Sequence, residues 1–443
     1  MRRLLRENAL CALMASAGCA TLAWLGLYGY GWNDYEVEAK PAFDALVHGH
    51  VSSFLQLAPA YGGSLVERAP FALIPGLWGG GELAIYRMVA LPCLLAGAAL
   101  GVWLLARMRA RGYGTLARAI ALGLCVANPL TLSALEVGHP EELLGACLCV
   151  AAVLLAGRDR PLWAGLLLGL AIANKEWALL AVGPVLLALP AKRRLRCLAS
   201  AGAIAAAVLL PLTLFASGGF AASAGAAAST SSTIFQPWQI WWFFGYHGPP
   251  VHGLFGIPLL DYRTGPAWAG VISHPLIVAV GFALAGVLWL RRGRGARGVG
   301  ECDALLLLAL VLLLRCVLDT WNTGYYMLPC MLTLLAWEVS GASRRPPVLT
   351  LMGIVLPWIC LHELSAQGGN PDLQAVLFLA WTLPLATALA LRLYAPSLKF
   401  SVHLRGLSRR LLTLSRSPLL LPQAERQLVP QRLSIRPALR RRS

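Results

Sequence analysis

Apolar residues fill long stretches of this chain almost without interruption, and short runs rich in arginine, proline and glycine separate them. This is neither the strict alternation of a half-buried strand nor the single apolar stripe of a surface helix. It is the pattern of helices that are apolar all round, which are stable where lipid and other helices surround them. A helix needs about 20 such residues to cross a bilayer, and fewer where the protein shields its ends, so the pattern predicts about twelve crossings. Their cores lie near 8–30, 82–106, 119–136, 141–157, 162–174, 176–190, 198–216, 275–290, 303–318, 325–340, 347–362 and 373–393. The expected fold is all-α and polytopic, with residues 1–395 as one multi-pass transmembrane domain.

What lies between the cores is uneven. Residues 31–81 and 217–274 are too long to be turns, and loops of such length usually carry function. The second opens with small residues from Gly218 to Ser232 and continues into Phe235, Trp238, Trp241, Trp242, Phe243, Phe244 and Tyr246. Aromatic side chains of this kind anchor at headgroup depth, which suggests a re-entrant segment. At the start, Arg2, Arg3 and Arg6 precede an apolar run from Ala9 to Tyr30. That run exceeds the roughly 7–15 residues of a signal-peptide core and reads as an uncleaved first span. Residues 396–443 form a basic tail: Leu404, Leu407, Leu411 and Leu414 oppose Arg405, Arg409 and Arg410, as in a helix lying on an anionic leaflet, and the chain beyond Pro418 reads as disordered.

Composition agrees with this. At 58% hydrophobic and 13% charged, the chain is far from a soluble globule, which carries about 25% charged residues. Charge then orients it. Of 37 lysines and arginines, 31 fall in the clusters around Arg2, Arg107–Arg118, Arg158, Lys192–Arg196, Arg291–Arg297 and Arg344, and in the tail from Arg392. The other six are Lys40, Arg68, Arg87, Lys175, Arg263 and Arg315, and they share the opposite side with fourteen of the twenty acids. Positively charged loops stay in the cytoplasm, so both termini are expected there. The net charge of +17 is concentrated beside membrane segments, where anionic lipid headgroups rather than nucleic acid are the nearer partner. Eleven cysteines without a CxxC pair read as small buried hydrophobes.

Candidate chemistry gathers on the outer side. Asp34, Glu36 and Glu38 follow the first span at once; they read either as a solvated loop or as carboxylates placed to meet a lipid headgroup. Lys175-Glu176 sits midway between two basic clusters of the same side, so an even number of crossings must separate those clusters. Two helices of about 14 residues rise only roughly 21 Å each, which leaves the tip of that hairpin within the membrane's depth. A lysine there needs an anion, either Glu176 or a lipid phosphate. His139, Glu141 and Glu142 form the tip of the preceding hairpin. Arg315, Asp319, Asn322, Tyr325 and Tyr326 form another, with Arg315 either paired to Asp319 at i, i+4 or free to bind a phosphate with its planar fork. No metal-ligand spacing stands out.

These pieces carry a resemblance. A first span followed by Asp34-Tyr35-Glu36, a variant of an acidic Asp-x-Asp-type signature, resembles the C-type integral-membrane glycosyltransferases (GT-C). Gly138-His139-Pro140-Glu141-Glu142, Ala173-Asn174-Lys175-Glu176-Trp177-Ala178 and Arg315…Asp319-x-Trp321-Asn322-x-x-Tyr325-Tyr326-x-x-Pro329 are similar to bacterial members of the branch with polyprenol-phosphate mannose-dependent mannosyltransferases, a family 87-like group. The resemblance covers roughly residues 10 to 395. It implies a plasma-membrane enzyme with a long first outer loop. Such an enzyme would move a mannose-like hexose or a pentose from a polyprenyl-phosphate donor to a lipid or glycan acceptor outside the cell, with inversion and with no bound cofactor. Asp34 or Glu36 is then the expected catalytic carboxylate. His139, Glu141, Glu142, Lys175, Glu176, Arg315, Asp319, Asn322, Tyr325 and Tyr326 are the expected substrate-binding set, with Lys175 and Arg315 at the phosphate.

Two other classes fit parts of the pattern. Buried Lys175 and Arg315 would also suit a transporter or flippase of an anionic or lipid-linked substrate. Such a protein would place its site near the midplane between internal repeats, and no repeat is evident. A non-catalytic membrane subunit is the other alternative, and it would tolerate Asp34→Asn.

Overall fold

The computed structural model describes residues 34–215, 235–248, 261–293, 299–341, 345–363 and 369–395, with isolated positions 13, 18, 251, 252, 258 and 259. Apart from positions 13 and 18, the expected first span lies outside the described residues, as does the basic tail.

Where the sequence suggested a long outer loop, the chain is helical. A π-turn at Tyr35–Ala39 leads into α1 (Lys40–Val47), α2 (Val51–Gln56), α3 (Gly62–Ala72) and a 3-10 turn, Ile74–Trp78. The reason is the spacing of Ala39, Ala42, Phe43 and Leu46, which recur every three to four residues and are all buried. The long helix α4 (Glu82–Ala110) follows, then α5 (Thr115–Val126) and α6 (Pro129–Val137). Between the last two, Asn128 caps α6 by accepting from the Thr131 backbone N–H at 2.9 Å, and Pro129 occupies the first helical position.

The core of the fold comprises α7 (Glu141–Ala156), α8 (Pro161–Asn174), a 3-10 turn at Glu176–Ala181, α9 (Val182–Ala188) and α10 (Ala191–Phe215). Helix α8 lies very close to α10. A Cβ on Gly165 or Gly169 would come within 2.4 and 2.5 Å of the Cys197 and Ala201 carbonyl oxygens, so small residues four apart permit the backbones to meet, as in membrane helix pairs. The expected hairpin forms, with Lys175 in extended conformation at its tip.

The remaining helices are α11 (Ala267–Leu288), α12 (Glu301–Leu318), α13 (Leu328–Ser340), α14 (Val348–Pro357) and α15 (Pro371–Tyr394). Helical structure thus occupies every other expected core. Among the described residues, five helical stretches are long and apolar enough to cross a bilayer: Glu82–Ala110, Thr115–Val137, Ala191–Phe215, Ala267–Arg292 and Pro371–Tyr394. Pro161–Asn174, Glu176–Ala188 and Val348–Leu361 are apolar but shorter, the first two flanking Lys175 where the sequence predicted a short hairpin.

Part of the aromatic run is tied into the protein, while Phe243, Phe244 and Tyr246 are exposed. Trp242 is fully buried and donates to Asp372 at 2.7 Å, Trp238 donates to Gln374 at 3.1 Å, and Trp241 to the Leu318 carbonyl at 2.7 Å. Arg263 grips the Asp372 carboxylate with two nitrogens, at 2.9 and 2.8 Å. Nearby, Val251–His252 and Pro258–Leu259 pair as a two-residue antiparallel ladder. At the other end of the helices, Arg107 pairs with Glu301 and Arg292 with Asp303, the latter at 2.9 Å.

Candidate active site

The site begins at a glycine. Helix α6 ends on Gly138 at φ +107, and a Cβ there would stand 2.6 Å from the Tyr35 Cβ and 2.7 Å from its backbone nitrogen. Only glycine allows the left-handed turn and the close approach together. The approach brings His139 to the residue beside Tyr35. Its Nε2 lies 2.9 Å from Asp34 Oδ2, and its Nδ1 lies 2.6 Å from Glu141 Oε1.

An imidazole between two carboxylates satisfies both only when both nitrogens carry protons. Burial opposes that charge, but the Glu141 carboxylate and the hydrogen bonds to Asp34 and Glu141 outweigh it and raise the His139 pKa from 6.5 to about 9. A raised folded-state pKa means that the imidazolium stabilises the fold fully below about 6.5 and ceases to do so as pH rises through about 9. Thermal stability in detergent is therefore expected to fall between pH 7 and 10, and to fall less in His139→Asn. Equal slopes in the two proteins would contradict this.

Glu141 is the hub. It is fully buried, and its Oε1 also lies 3.2 Å from Lys175 Nζ while its Oε2 lies 3.2 Å from Arg68 Nη2. Asn174 donates to its backbone carbonyl at 2.9 Å. Glu142 lies 3.7 Å from Lys175 and accepts from Trp177 Nε1 at 3.2 Å. Lys175 in turn stands 4.0 Å over the ring of Tyr61. Its charge is thus met by two carboxylates and an aromatic face from within the chain. Asp34, with 22% of its side chain exposed against none for Glu141, is the carboxylate that solvent or a substrate can reach.

A file of rings connects this cluster to Arg315. His139 and Tyr325 lie 5.0 Å apart, Tyr325 and Tyr326 5.2 Å, and the Arg315 guanidinium sits 4.2 Å over Tyr326 and 5.3 Å over Trp177. Arg315 is 5% exposed, forms no ion pair among the described residues, and its Nη1 has no hydrogen-bond partner. A buried cation with an open donor is suited to an anion.

Several expectations change here. Asp34, His139, Glu141, Glu142, Lys175 and Tyr325 come together, with Arg315 and Tyr326 adjoining. Glu36 does not join them: it is exposed, because two residues along a helical turn rotate a side chain to the opposite face. Glu38, four residues after Asp34, is the acid whose charge acts on Tyr61, Lys175 and Tyr325. Nor is Glu176 the partner of Lys175. The extended backbone at Lys175 sends the two side chains apart, and Glu176 is exposed. Asp319 leaves α12 with ψ 123, so it accepts from the Trp321 backbone at 2.9 Å and faces His274 at 3.6 Å instead of pairing with Arg315. Asn322 donates to the Trp238 carbonyl at 2.8 Å and serves to hold the aromatic strap. Arg68, Tyr61 and His274 were given no site role from the sequence, and Glu38 only a place in the acidic cluster after the first span. The i, i+4 spacing of Asp34 and Glu38 was the one signal that could have marked a member of this set. Among the described residues no group of three or more His, Cys, Asp and Glu side chains could hold a metal ion.

An all-helical chain with several membrane-length apolar helices and an ionisable cluster at one end of them is an integral membrane protein with a built polar site. Residues 63–318, more than half of the chain, match the model of glycosyltransferase family 87, and the chain belongs to that family: it is a membrane glycosyltransferase. The matched stretch contains Arg68, His139, Glu141, Glu142, Lys175, Glu176 and Arg315, and starts after Asp34 and Glu36. Comparison with curated proteins and with solved structures gave no match.

Proposed function

We propose that this glycosyltransferase moves a sugar from a polyprenyl-phosphate donor to a hydroxyl of a lipid or glycan acceptor at the extracytoplasmic face of a bacterial plasma membrane. The observation that carries the reading is the presence, at one end of the helices, of an accessible carboxylate and of a buried arginine that forms no ion pair among the described residues and keeps one nitrogen without a hydrogen-bond partner. Asp34, held by His139, accepts the proton of the acceptor hydroxyl as its oxygen attacks the anomeric carbon. The bond from that carbon to the phosphate oxygen breaks, and the charge left on the polyprenyl phosphate rests against Arg315. A single displacement inverts the anomeric centre. The concentration of basic residues at the other end of the helices supports the outward orientation of the site and cytoplasmic termini.

In this reading Lys175 acts through Glu141 and Glu142 rather than as the main phosphate ligand, since both carboxylates already meet its charge. Glu36 is not the base, because it faces away from the ring file. Native mass spectrometry of protein purified in mild detergent tests the reading. A bound polyprenyl-phosphate sugar that is lost in Arg315→Ala supports it, and a bound nucleotide sugar in its place overturns it.

A further inference from the structure

Arg68 is one of the six basic residues outside the basic clusters, and its charge is met by Glu141 within the protein. It is 2% exposed, on α3, a helix of the segment that the sequence presented as a loop. Its Nε donates to the Ser64 carbonyl at 3.2 Å and its guanidinium lies 5.9 Å from the Phe43 ring, so the side chain is fixed from both sides. Its Nη2 stands 3.2 Å from Glu141 Oε2, the oxygen that His139 and Lys175 do not use. Glu141 Oε1 then faces His139 Nδ1 at 2.6 Å, and His139 Nε2 faces Asp34 at 2.9 Å.

We propose that Arg68 is a positioning residue for the base, acting through the chain Arg68, Glu141, His139, Asp34; this rests on the reading of Asp34 as base. The physical argument is one of rotation and charge. A carboxylate bound at a single oxygen can turn about its Cγ–Cδ bond. At 3.2 Å and without a hydrogen bond, the Arg68 charge attracts Oε2 and so opposes that turn, which keeps Oε1 toward the imidazolium. Arg68 also takes a share of the Glu141 charge that would otherwise fall on His139. Without Arg68, Glu141 holds the proton on His139 more tightly and leaves the ring less fixed toward Asp34. Lys175 cannot replace it, because Lys175 approaches Oε1, the same oxygen as His139.

The test is a double-substitution cycle on transfer rate in purified protein, with Asp34→Asn as control. Arg68→Met is expected to lower kcat about 10- to 100-fold with the donor KM within about twofold, the pattern for a group that acts only on the chemical step. Arg68→Lys, which can still reach Oε2, is expected to recover part of the loss. Arg68→Met with Glu141→Gln should be no slower than Glu141→Gln alone, since both act along one chain. The alkaline limb of the kcat profile should also move upward in Arg68→Met as His139 keeps its proton longer. Additive losses, or an unchanged kcat and pH profile in folded Arg68→Met, overturn the proposal. If Arg68→Met does not fold, Glu141→Gln decides by the same pH profile: an unchanged kcat together with an unchanged alkaline limb there counts against it. Full activity in Asp34→Asn instead removes the underlying reading of the base.

Discussion

Asp34→Asn is expected to slow sugar transfer by roughly 10²- to 10⁴-fold, the range for loss of a positioned general base. Asparagine keeps the size of the side chain and can still accept a hydrogen bond from His139 Nε2, so the turn at Gly138 and the network behind it should survive. What it loses is the ability to take a proton. Donor affinity and expression should therefore remain within about twofold of wild type, since the interaction removed exists only in the transition state. Glu141 cannot serve in its place, because it is fully buried beneath three cationic groups. Near-normal turnover of purified Asp34→Asn would move the assignment to Glu38, the other acid on that face.

Arg315→Ala is expected to weaken donor binding by about 10- to 150-fold, corresponding to the roughly 1.5–3 kcal/mol of a hydrogen bond to a charged group. The effect should appear chiefly in the donor dissociation constant. Arg315→Lys should restore only part of it, since an ammonium keeps the charge but not the planar fork or its stacking on Tyr326 and Trp177. Titration of each variant with a polyprenyl phosphate lacking the sugar separates phosphate binding from sugar binding. An unchanged affinity in Arg315→Ala would show that the open guanidinium nitrogen meets something other than the donor phosphate.

The two substitutions also mark what the sequence made legible. Lys175 and Arg315 were visible because each interrupts or ends a long apolar run, where an ionisable group is expensive and needs a reason, and Asp34 and His139 because each stands in a short polar stretch directly after one. The helices were visible for the same cause, since uniform apolarity over about 20 residues leaves few other structures open. Pairings between these groups were less legible. Glu176 and Asp319 looked like partners of Lys175 and Arg315 from their spacing alone, yet the backbone turns extended at Lys175 and at Asp319, and the spacing argument holds only while the helix continues. Glu36 stands apart from the cluster for the converse reason: a segment read as loop is a helical turn, and its phase brings Asp34 and Glu38 to one face and leaves Glu36 exposed. Arg68 and Tyr61 come from helices far from the motifs they support, so only the fold brings them to Glu141 and Lys175.

The central claim, that this membrane glycosyltransferase takes its sugar from a polyprenyl phosphate with inversion, is tested most directly by transfer in proteoliposomes that hold the purified protein and one labelled donor at a time. The account predicts label in a lipid or glycan product from the polyprenyl-phosphate sugar, with the anomeric configuration opposite to that of the donor, and none from nucleotide sugars. Transfer from a nucleotide sugar alone, or a product that retains the donor configuration, would contradict it.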